Sequence, residues 1–376
     1  MPIDTSPQKF VNWCRSTLLT FWAEHGVDRR FGGFFEQANM DGSMDRNCPR
    51  RVRVTSRQIY AFAHADTLGW ADHKSLVLNS VDWLFERCWR ADGEPGFFHL
   101  ADETGKMLDS RRDLYDHAFH ILGLSWAYQA SGDPQVLSLA KQVLAFVEEA
   151  LAAKNEGWYE DLTQTQPRRQ NPHMHMYEAL LALYTATKDP AYLARADEIS
   201  QLLTEVFIDH DTGYLFEFFN EKWQPNAKNQ IEPGHMAEWS WLLHQRQRLA
   251  PDNGNLTPAD GLLPLAEKIG LQQNGLLLDQ CDTHGHASAQ TCRLWGQTER
   301  LKAHVILAKA EPDPKINGII KTIFTHYLQS KVPGLWVDAV SAHGEALSQH
   351  VPASIVYHLV SAAAEVERVY CTKKNS

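Results

Sequence analysis

The segment EPGHMAEW places a histidine and a glutamate three residues apart. His235 and Glu238 fall in a helix predicted to begin just after Pro233 and Gly234, so both side chains project from one face of its first turn. A carboxylate beside an imidazole can orient the ring and raise its basicity, as general acid-base catalysis requires. The tryptophans that follow favour an enclosed site over the alternative, a surface helix with an acidic residue near its start.

Three more histidines stand in aromatic or apolar segments. His358 opens a strongly apolar predicted helix, where a histidine is more often a hydrogen-bonded core residue than a catalyst, so both interpretations stay open. His173 and His175 form an H-x-H pair that could bind a metal ion, but no third ligand stands at a recognisable spacing. The sequence therefore does not favour a metal site.

Two arginines four residues apart are candidate hydrogen-bond donors. Arg57 would share a helix face with Tyr60 and His64, a mixed aromatic and polar surface that suits a pocket wall. Its guanidinium could bind a sugar oxygen or a developing enediolate. Arg53 is as easily a surface residue, and the cluster at 113–117 is ambiguous between a helix cap and a sugar-binding edge.

The composition indicates a globular protein with a reduced interior. The chain has 376 residues, of which 44% are hydrophobic and 22% charged, enough to bury a sizeable core. Its 36 basic against 46 acidic residues give a net charge of −10, which argues against nucleic acid as a partner. Six cysteines without a C-x-x-C pair argue against disulfides and a zinc site. With no membrane span or signal pattern, we expect a cytoplasmic protein without membrane association.

Several motifs of other enzyme classes are missing from the sequence. It contains no G-x-G-x-x-G after a strand, no P-loop, no G-x-S-x-G and no H-E-x-x-H. Nucleotide chemistry, serine hydrolysis and zinc proteolysis therefore lose support. The 12 tryptophans, 11 tyrosines and 16 phenylalanines instead suit a pocket for a polar ligand with apolar ring faces, and a carbohydrate is the natural candidate.

A glycine followed by apolar or aromatic residues, often ending at a carboxylate, recurs six times. The copies are GGFFEQ, PGFFHL, EGWYED, TGYLFE, NGLLLD and PGLWVD, and they repeat roughly every sixty residues. The intervals show helical apolar periodicity and have room for two helices each. The sequence predicts an all-α fold, an (α/α)6 barrel of six helix pairs with short β segments in the loops, rather than an open solenoid. We expect a single domain over residues 1–376, with its site near the inner-helix ends.

At the level of whole segments, the chain resembles the N-acylglucosamine 2-epimerase superfamily from Phe31 to Val369. RVRVTSRQIYAF, DLYDHAF, NPHMHMYEAL, EPGHMAEW, RLWGQTERLKA and VPASIVYHL carry the resemblance. It implies an (α/α)6 barrel and metal-independent proton transfer between C1 and C2 of a sugar through an enediol formed after ring opening. No cofactor is implied, and the partner would be a small monosaccharide.

The resemblance also implies roles for particular residues. His358 would be the base that moves the proton between C2 and C1, His235 the second histidine, and Glu238 its support. The predicted substrate-binding residues are Arg57, Tyr115, Asp116, Asn171, His175, Trp295, Gln297 and Glu299.

The wording of GHMAEW and PASIVYHL is more similar to bacterial mannose isomerases than to animal N-acylglucosamine epimerases. It therefore implies interconversion of D-mannose and D-fructose through a cis-enediol. A sugar 2-epimerase remains an alternative, as does a sulfoquinovose isomerase, for which Arg169, Lys222 or Lys228 could bind the sulfonate. A glycoside hydrolase of the same barrel would need two inward carboxylates, such as Glu238 with Asp116 or Glu299. A non-catalytic sugar-binding barrel is the third possibility, and the oligomeric state is not indicated.

Overall fold

The computed structural model describes residues 6–251, 259–308 and 313–371, most of which are helical. The helices are α1 (Pro7–Trp13), α2 (Leu19–His25), α3 (Val52–Thr67), α4 (Lys74–Arg87), α5 (Leu114–Ser131), α6 (Pro134–Phe146), α7 (Gln170–Thr187), α8 (Pro190–Leu202), α9 (Pro233–Leu249), α10 (Ala259–Gly270), α11 (Leu294–Leu307), α12 (Pro314–His326) and α13 (Val356–Val366). In this part of the chain, none of them has the length and apolar character needed to cross a membrane.

The odd-numbered helices from α3 to α13 form a closed inner ring. Each packs against the next one in the ring, and α13 packs against both α11 and α3. The helices α4, α6, α8, α10 and α12 cover α3, α5, α7, α9 and α11 from outside, while α1 packs against α13. This arrangement confirms the predicted (α/α)6 barrel over the open solenoid, because the last helix pair returns to the first.

The outer and inner helices differ in how much of their surface is buried. The outer helix α4 buries Val77, Val81 and Leu84, a single stripe at helical spacing, and leaves its other faces toward solvent. The inner helix α11 is buried over Leu294–Val305, including its charged side chains. Polar residues on an inner helix therefore face either a neighbouring helix or the centre of the ring, and each needs a partner there.

Asp-Pro pairs start three of the outer helices. Asp133, Asp189 and Asp313 each accept a hydrogen bond from the backbone N–H two residues on, at 2.9, 3.0 and 2.8 Å. The proline that follows each aspartate occupies the first helical position, where its missing N–H costs nothing. These caps keep the turns short at the end of the ring where α5 and α7 finish.

Short antiparallel strands form the loops at the opposite end. They are β1 (Gln37–Asn39), β2 (Arg50–Arg51), β3 (Leu100–Ala101), β4 (Met107–Asp109), β5 (Arg168–Arg169), β6 (Phe218–Phe219), β7 (Thr291–Arg293), β8 (Ala339–Ser341) and β9 (His350–Pro352). They pair as β1 with β9, β2 with β3, β3 with β4, β5 with β6, and β7 with β8. Because β2, β5 and β7 lead directly into α3, α7 and α11, these sheets surround the N-terminal ends of the inner helices.

The repeated glycine motifs are turns that precede these sheets. In five of the six copies, a residue one or two positions after the glycine makes an isolated antiparallel bridge, for example Phe34 with Val27. The glycine at the second position of each copy has a positive φ. Gly334 also lies so close to α2 that a Cβ there would sit 2.5 Å from Phe21. The repeat therefore marks tight turns, and the regular strands come a few residues later.

Candidate active site

His235 lies in the first turn of α9 and is fixed by carboxylates from the loop before it. Its Nδ1 donates to Glu217 Oε1 at 2.9 Å, and Glu232 Oε2 lies 3.7 Å from the same nitrogen. Burial disfavours the charged ring, but Glu217 and then Glu232 outweigh it and raise the pKa of His235 to about 10. His235 is therefore an imidazolium near neutral pH, suited to act as an acid.

The carboxylate that supports His235 is not the predicted one. Glu238 lies one turn deeper in α9, with its carboxylate oxygens close to Glu299 and His358. Glu217, which takes the supporting position, is the last residue of the TGYLFE copy of the glycine motif. Residues three apart share a helix face, but a carboxylate from the preceding loop reaches the imidazole more directly at the helix end.

His358 lies near the start of α13 and has the opposite protonation tendency. Its Nδ1 donates to Glu299 Oε1 at 2.7 Å, which leaves Nε2 to accept a proton. Burial, and then the positive charges of Arg57 and Lys302, hold the pKa of His358 well below its usual value. His358 is therefore a neutral base at the pH where His235 is an acid.

Trp295 lies between the two histidines. The centroid of its indole is 5.0 Å from the His235 ring and 5.9 Å from the His358 ring. A Cβ on Gly234 would come within 2.6 Å of this indole, so the glycine lets Trp295 pack closely against α9. A flat aromatic face flanked by an acid and a base is a suitable platform for a sugar.

A buried group of charges forms the floor below the histidines. The Lys302 ammonium, fully buried, lies 2.6 Å from Glu299 Oε2, and it interacts electrostatically with Glu238 and Glu178. Burial raises the pKa of Glu299, and Lys302 opposes that shift. Burial and then the charge of Glu299 raise the pKa of Glu238 well above its usual value, and Lys302 opposes that shift.

Arg57 and Tyr115 are in contact at the edge of this floor. Arg57 donates to Tyr115 Oη at 2.6 Å and to the backbone oxygen of Ser354 at 3.2 Å. The same guanidinium lies 3.8 Å from the centre of the Phe119 ring. Tyr115 also meets the His175 ring edge to face at 5.1 Å, so the predicted residues Arg57, Tyr115 and His175 form one wall.

His175 is held by a carboxylate that the sequence analysis did not single out. Its Nδ1 donates to Glu178 Oε2 at 3.2 Å, and Tyr357 donates to Glu178 Oε1 at 2.6 Å. Burial lowers the pKa of His175 to about 4, against the pull of Glu178. His173 is separated from this site: its Nε2 accepts the Trp158 N–H at 3.1 Å, so the H-x-H pair does not share a ligand.

Three other predicted substrate-binding residues fall in different settings. Both polar atoms of the Gln297 side chain bind the backbone of Leu277: Oε1 accepts the N–H at 3.1 Å, and Nε2 donates to the carbonyl oxygen at 2.9 Å. Gln297 therefore stabilises the fold in this position. Asp116 pairs with Arg53 and accepts from His99 at 2.6 Å, a contact that anchors the PGFFHL loop. Asn171, by contrast, has a buried Oδ1 without a partner among the described residues.

Three groups of side chains could hold a metal ion by the nearness of their ligand atoms. They are His175, Glu178 and Glu238; Glu217, Glu232 and His235; and Glu238, Glu299 and His358. In each group the histidine Nδ1 already donates to a carboxylate, and Lys302 provides a cation to the carboxylates of the floor. The donor set is therefore balanced by the chain's own charges and does not call for a metal.

Four residues of this site were missed as individual candidates: Glu217, Glu178, Tyr357 and Lys302. Glu178, Tyr357 and Lys302 all lie within the segments that carry the family resemblance. Their signal was a charged or hydroxyl residue on a helix that is otherwise buried on every side, which needs a partner in the ring.

The chain is similar to known proteins over most of its length. A curated relative from Rhizobium meliloti, named mannose-6-phosphate isomerase, is 34% identical, with 98% of each chain covered. A cellobiose 2-epimerase from Bacteroides fragilis is 25% identical over 75% of this chain and 76% of its own. A solved D-mannose isomerase superposes with a TM-score of 0.87 at 24% identity, covering 98% of this chain and 99% of that one, and shows the same fold. The family model described as N-acylglucosamine 2-epimerase (GlcNAc 2-epimerase) matches residues 33–362, and the chain therefore belongs to this family.

Proposed function

We propose that the protein is an aldose-ketose isomerase that interconverts D-mannose and D-fructose without a metal ion. The observation that carries the proposal is the pair of histidines on Trp295 with opposite protonation: His235 as an acid and His358 as a base. Enolisation needs a base with a free lone pair and donors for the developing enediolate. Arg57 supplies donors, whereas His175, whose Nδ1 donates to Glu178, presents its Nε2 as an acceptor for a sugar hydroxyl. Family membership supports sugar isomerase or epimerase chemistry at this site.

The reaction would begin with ring opening. His235 donates a proton to the ring oxygen while the anomeric hydroxyl loses its proton, so that the C1 aldehyde forms. The resulting imidazole regains a proton from solvent or from the released hydroxyl proton, and Glu217 keeps the His235 ring oriented throughout. No electrons leave the sugar in this step.

Proton transfer between the carbons would follow on one face. His358 Nε2 takes the proton from C2, the electron pair forms the C1–C2 double bond, and O1 takes a proton from solvent to give the cis-enediol. The O2 hydroxyl then returns a proton to solvent, the C2 carbonyl forms, and the proton on Nε2 returns to C1. Arg57 donates to the oxygen on which negative charge develops, and His175 Nε2 accepts from a neighbouring sugar hydroxyl.

A neutral sugar suits the surroundings of the site better than a phosphorylated or sulfonated one. Four arginines near the inner-helix starts are already paired with carboxylates: Arg51 with Glu36, Arg53 with Asp116, Arg169 with Glu160, and Arg293 with Asp279 and Glu232. An anionic group bound at any of these four would have to displace its pair. Lys222 and Lys228 are exposed and pair with no carboxylate among the residues described.

Epimerisation at C2 is the second candidate. The His235 imidazolium flanks Trp295 on a different helix from His358, so it could return a proton to C2 from the opposite face. The cellobiose 2-epimerase relative supports this outcome at lower identity than the isomerase relative.

Proton NMR of D-mannose incubated with the protein in D2O tests the proposal. We expect D-fructose, whereas D-glucose with deuterium at C2 would mean an epimerase. D-mannose 6-phosphate, assayed in parallel, should turn over more slowly. Release of reducing ends from an oligosaccharide without monosaccharide interconversion would point to a hydrolase and contradict the proposal.

The same assay compares a histidine variant in the site with a matched control. His358→Ala should lower kcat by about 10²- to 10⁴-fold, the usual contribution of a general base, with a near-native circular dichroism spectrum. His210→Ala, which truncates an exposed histidine, should retain wild-type activity. Full activity in His358→Ala would contradict its assignment as the base.

A further inference from the structure

A second cavity lies at the end of the barrel away from the two histidines. Its volume is about 180 Å³, and it is lined by the C-terminal halves of α3, α5, α7, α9 and α13. Glu178 separates the two regions: its carboxylate lines this cavity and also accepts from Tyr357 and His175 at the candidate active site. The cavity is therefore distinct from the sugar site but shares a wall with it.

The walls of this cavity are mainly apolar and aromatic. Tyr60, Trp126, Trp241, Ala182 and Ala364 contribute to them. His64 adds no charge, because burial lowers its pKa to about 3, and its ring stacks on Trp126 with the centroids 3.8 Å apart. An apolar protein cavity of about 150 Å³ is enough to bind benzene, so this space suits an apolar body of similar width.

Polar groups stand at two depths in the cavity. Deep inside, Trp241 lines the wall, and its Nε1 is buried without a partner among the described residues. At the mouth, Arg368 donates to Glu365 at 3.0 Å, and Arg248 donates to Gln245 at 2.9 Å. The mouth therefore has two guanidinium groups and one carboxylate, an excess of positive charge.

The two donors lie in line along one helix. Trp241 and Arg248 are seven residues apart on α9, which places them on one face and about 10 Å apart along the axis. An elongated ligand would therefore reach both, with its apolar body between them. The largely apolar wall offers few partners for sugar hydroxyls, and the positive mouth favours an anionic end group.

We propose that this cavity binds a small monocarboxylate with an aromatic or unbranched apolar body. The carboxylate pairs with Arg248 at the mouth, and the apolar body lies between Trp126 and Trp241. The occupant is distinct from the monosaccharide substrate, and the inference does not depend on which sugar the enzyme converts.

Isothermal titration calorimetry with 3-phenylpropionate and octanoate, with 3-phenylpropanol as the uncharged comparison, tests the proposal. For the full-length protein we expect one site per chain, with a dissociation constant of roughly 1 mM or tighter for the acids. The alcohol should bind several-fold more weakly. Tryptophan fluorescence should change on binding, because two indoles line the cavity. No binding of either acid up to about ten times that concentration, or equal binding of the alcohol, would overturn the assignment.

Two variants locate the site. Ala182→Phe fills the cavity and should weaken binding of both acids at least tenfold, and Ala364→Leu serves the same purpose if the first variant does not fold. Arg248→Gln should weaken the acids but not the alcohol. Arg246→Gln removes an equal charge two residues away, where the guanidinium pairs with Asp197, and should leave binding unchanged. Wild-type affinity in a folded cavity-filling variant would place the ligand elsewhere and contradict the proposal.

Discussion

At the scale of single residues, two chemically identical imidazoles differ in charge because their neighbours differ. His235 stands between two carboxylates, Glu217 and Glu232, whereas His358 has Arg57 and Lys302 nearby in addition to its partner Glu299. Each histidine donates its Nδ1 proton to a carboxylate, which directs Nε2 away from that partner. The site thus contains an acid and a base at the same pH.

The first prediction concerns the pH dependence of catalysis. His358 must be neutral and His235 protonated, so activity should rise with pH below 6.5 and fall as pH passes about 10. Glu217→Gln removes a charge that raises the pKa of His235. In the pH profile of kcat/KM, the alkaline limb should therefore move to lower pH by about one pH unit. Exposed Glu221→Gln is the control and should leave the profile in place. An alkaline limb that stays in place in Glu217→Gln would contradict the role of His235.

The second prediction concerns metal ions. Because Lys302 balances the floor carboxylates and each histidine has a hydrogen-bonded carboxylate, we expect dialysis against EDTA to leave turnover of D-mannose unchanged. Addition of Mg²⁺, Mn²⁺, Co²⁺ or Zn²⁺ to the dialysed protein should not raise the rate. A loss in EDTA that one of these ions restores would contradict the metal-independent mechanism.

At the scale of elements, the carboxylate in one of the last two positions of the glycine motif has a repeated structural function. Glu36, Glu160 and Asp279 each accept the backbone N–H of the arginine that precedes an inner helix, at 2.9, 2.6 and 2.7 Å. In the TGYLFE copy a glutamate, Glu232, stands at the position of that arginine, and Glu217 binds His235 instead. A loop anchor in three repeats is therefore a histidine partner in a fourth.

The third prediction concerns helix α11, which carries the buried ammonium of Lys302. Lys302→Met would leave Glu299, Glu238 and Glu178 without their common cation, so we expect a loss of about 3–5 kcal/mol in the free energy of unfolding. Urea denaturation at neutral pH measures it. Lys315→Met, at an exposed position in the first turn of α12, should change stability by less than about 0.5 kcal/mol. A loss below about 1 kcal/mol in Lys302→Met would show that the carboxylates do not depend on the lysine.

At the scale of the whole molecule, distant parts of the chain close the ring. Strand β1 pairs with β9, which joins Gln37–Asn39 to His350–Pro352, and α13 packs against α1, α3 and α11. The buried charges of the floor come from α7, α9 and α11, and Tyr357 of α13 donates to one of them, Glu178. Each helix pair thus depends on pairs that are distant in sequence.

The fourth prediction follows from this closure and tests whether residues 1–376 form one domain. We expect a single unfolding transition, with the same midpoint by far-ultraviolet circular dichroism and by tryptophan fluorescence. The 12 tryptophans are distributed along the chain, so fluorescence samples several repeats. Two separated midpoints would indicate independent units and contradict the single-domain prediction.

The sequence alone was sufficient for the architecture and for most of the residues gathered at the inner-helix starts. The sixty-residue repeat and the apolar stripes predicted six helix pairs, because helical periodicity and turn glycines are local properties of a chain. His235, His358, Arg57 and His175 stood in segments that were unusually polar or aromatic for helices of a core. Residue types and spacing sufficed to predict His235 and Arg57 as site residues, whereas the roles of His358, His175 and Trp295 were implied by the family resemblance.

Only the tertiary structure decided which side chain partners which. His358 binds Glu299, 59 residues away, and Tyr357 binds Glu178, 179 residues away, contacts that arise when different repeats meet in the ring. Gln297 is only two residues from Glu299, the partner of His358, yet it binds the backbone of Leu277. Spacing along a helix specifies a face, but the ring determines what that face meets, and the charge of each histidine follows from those neighbours.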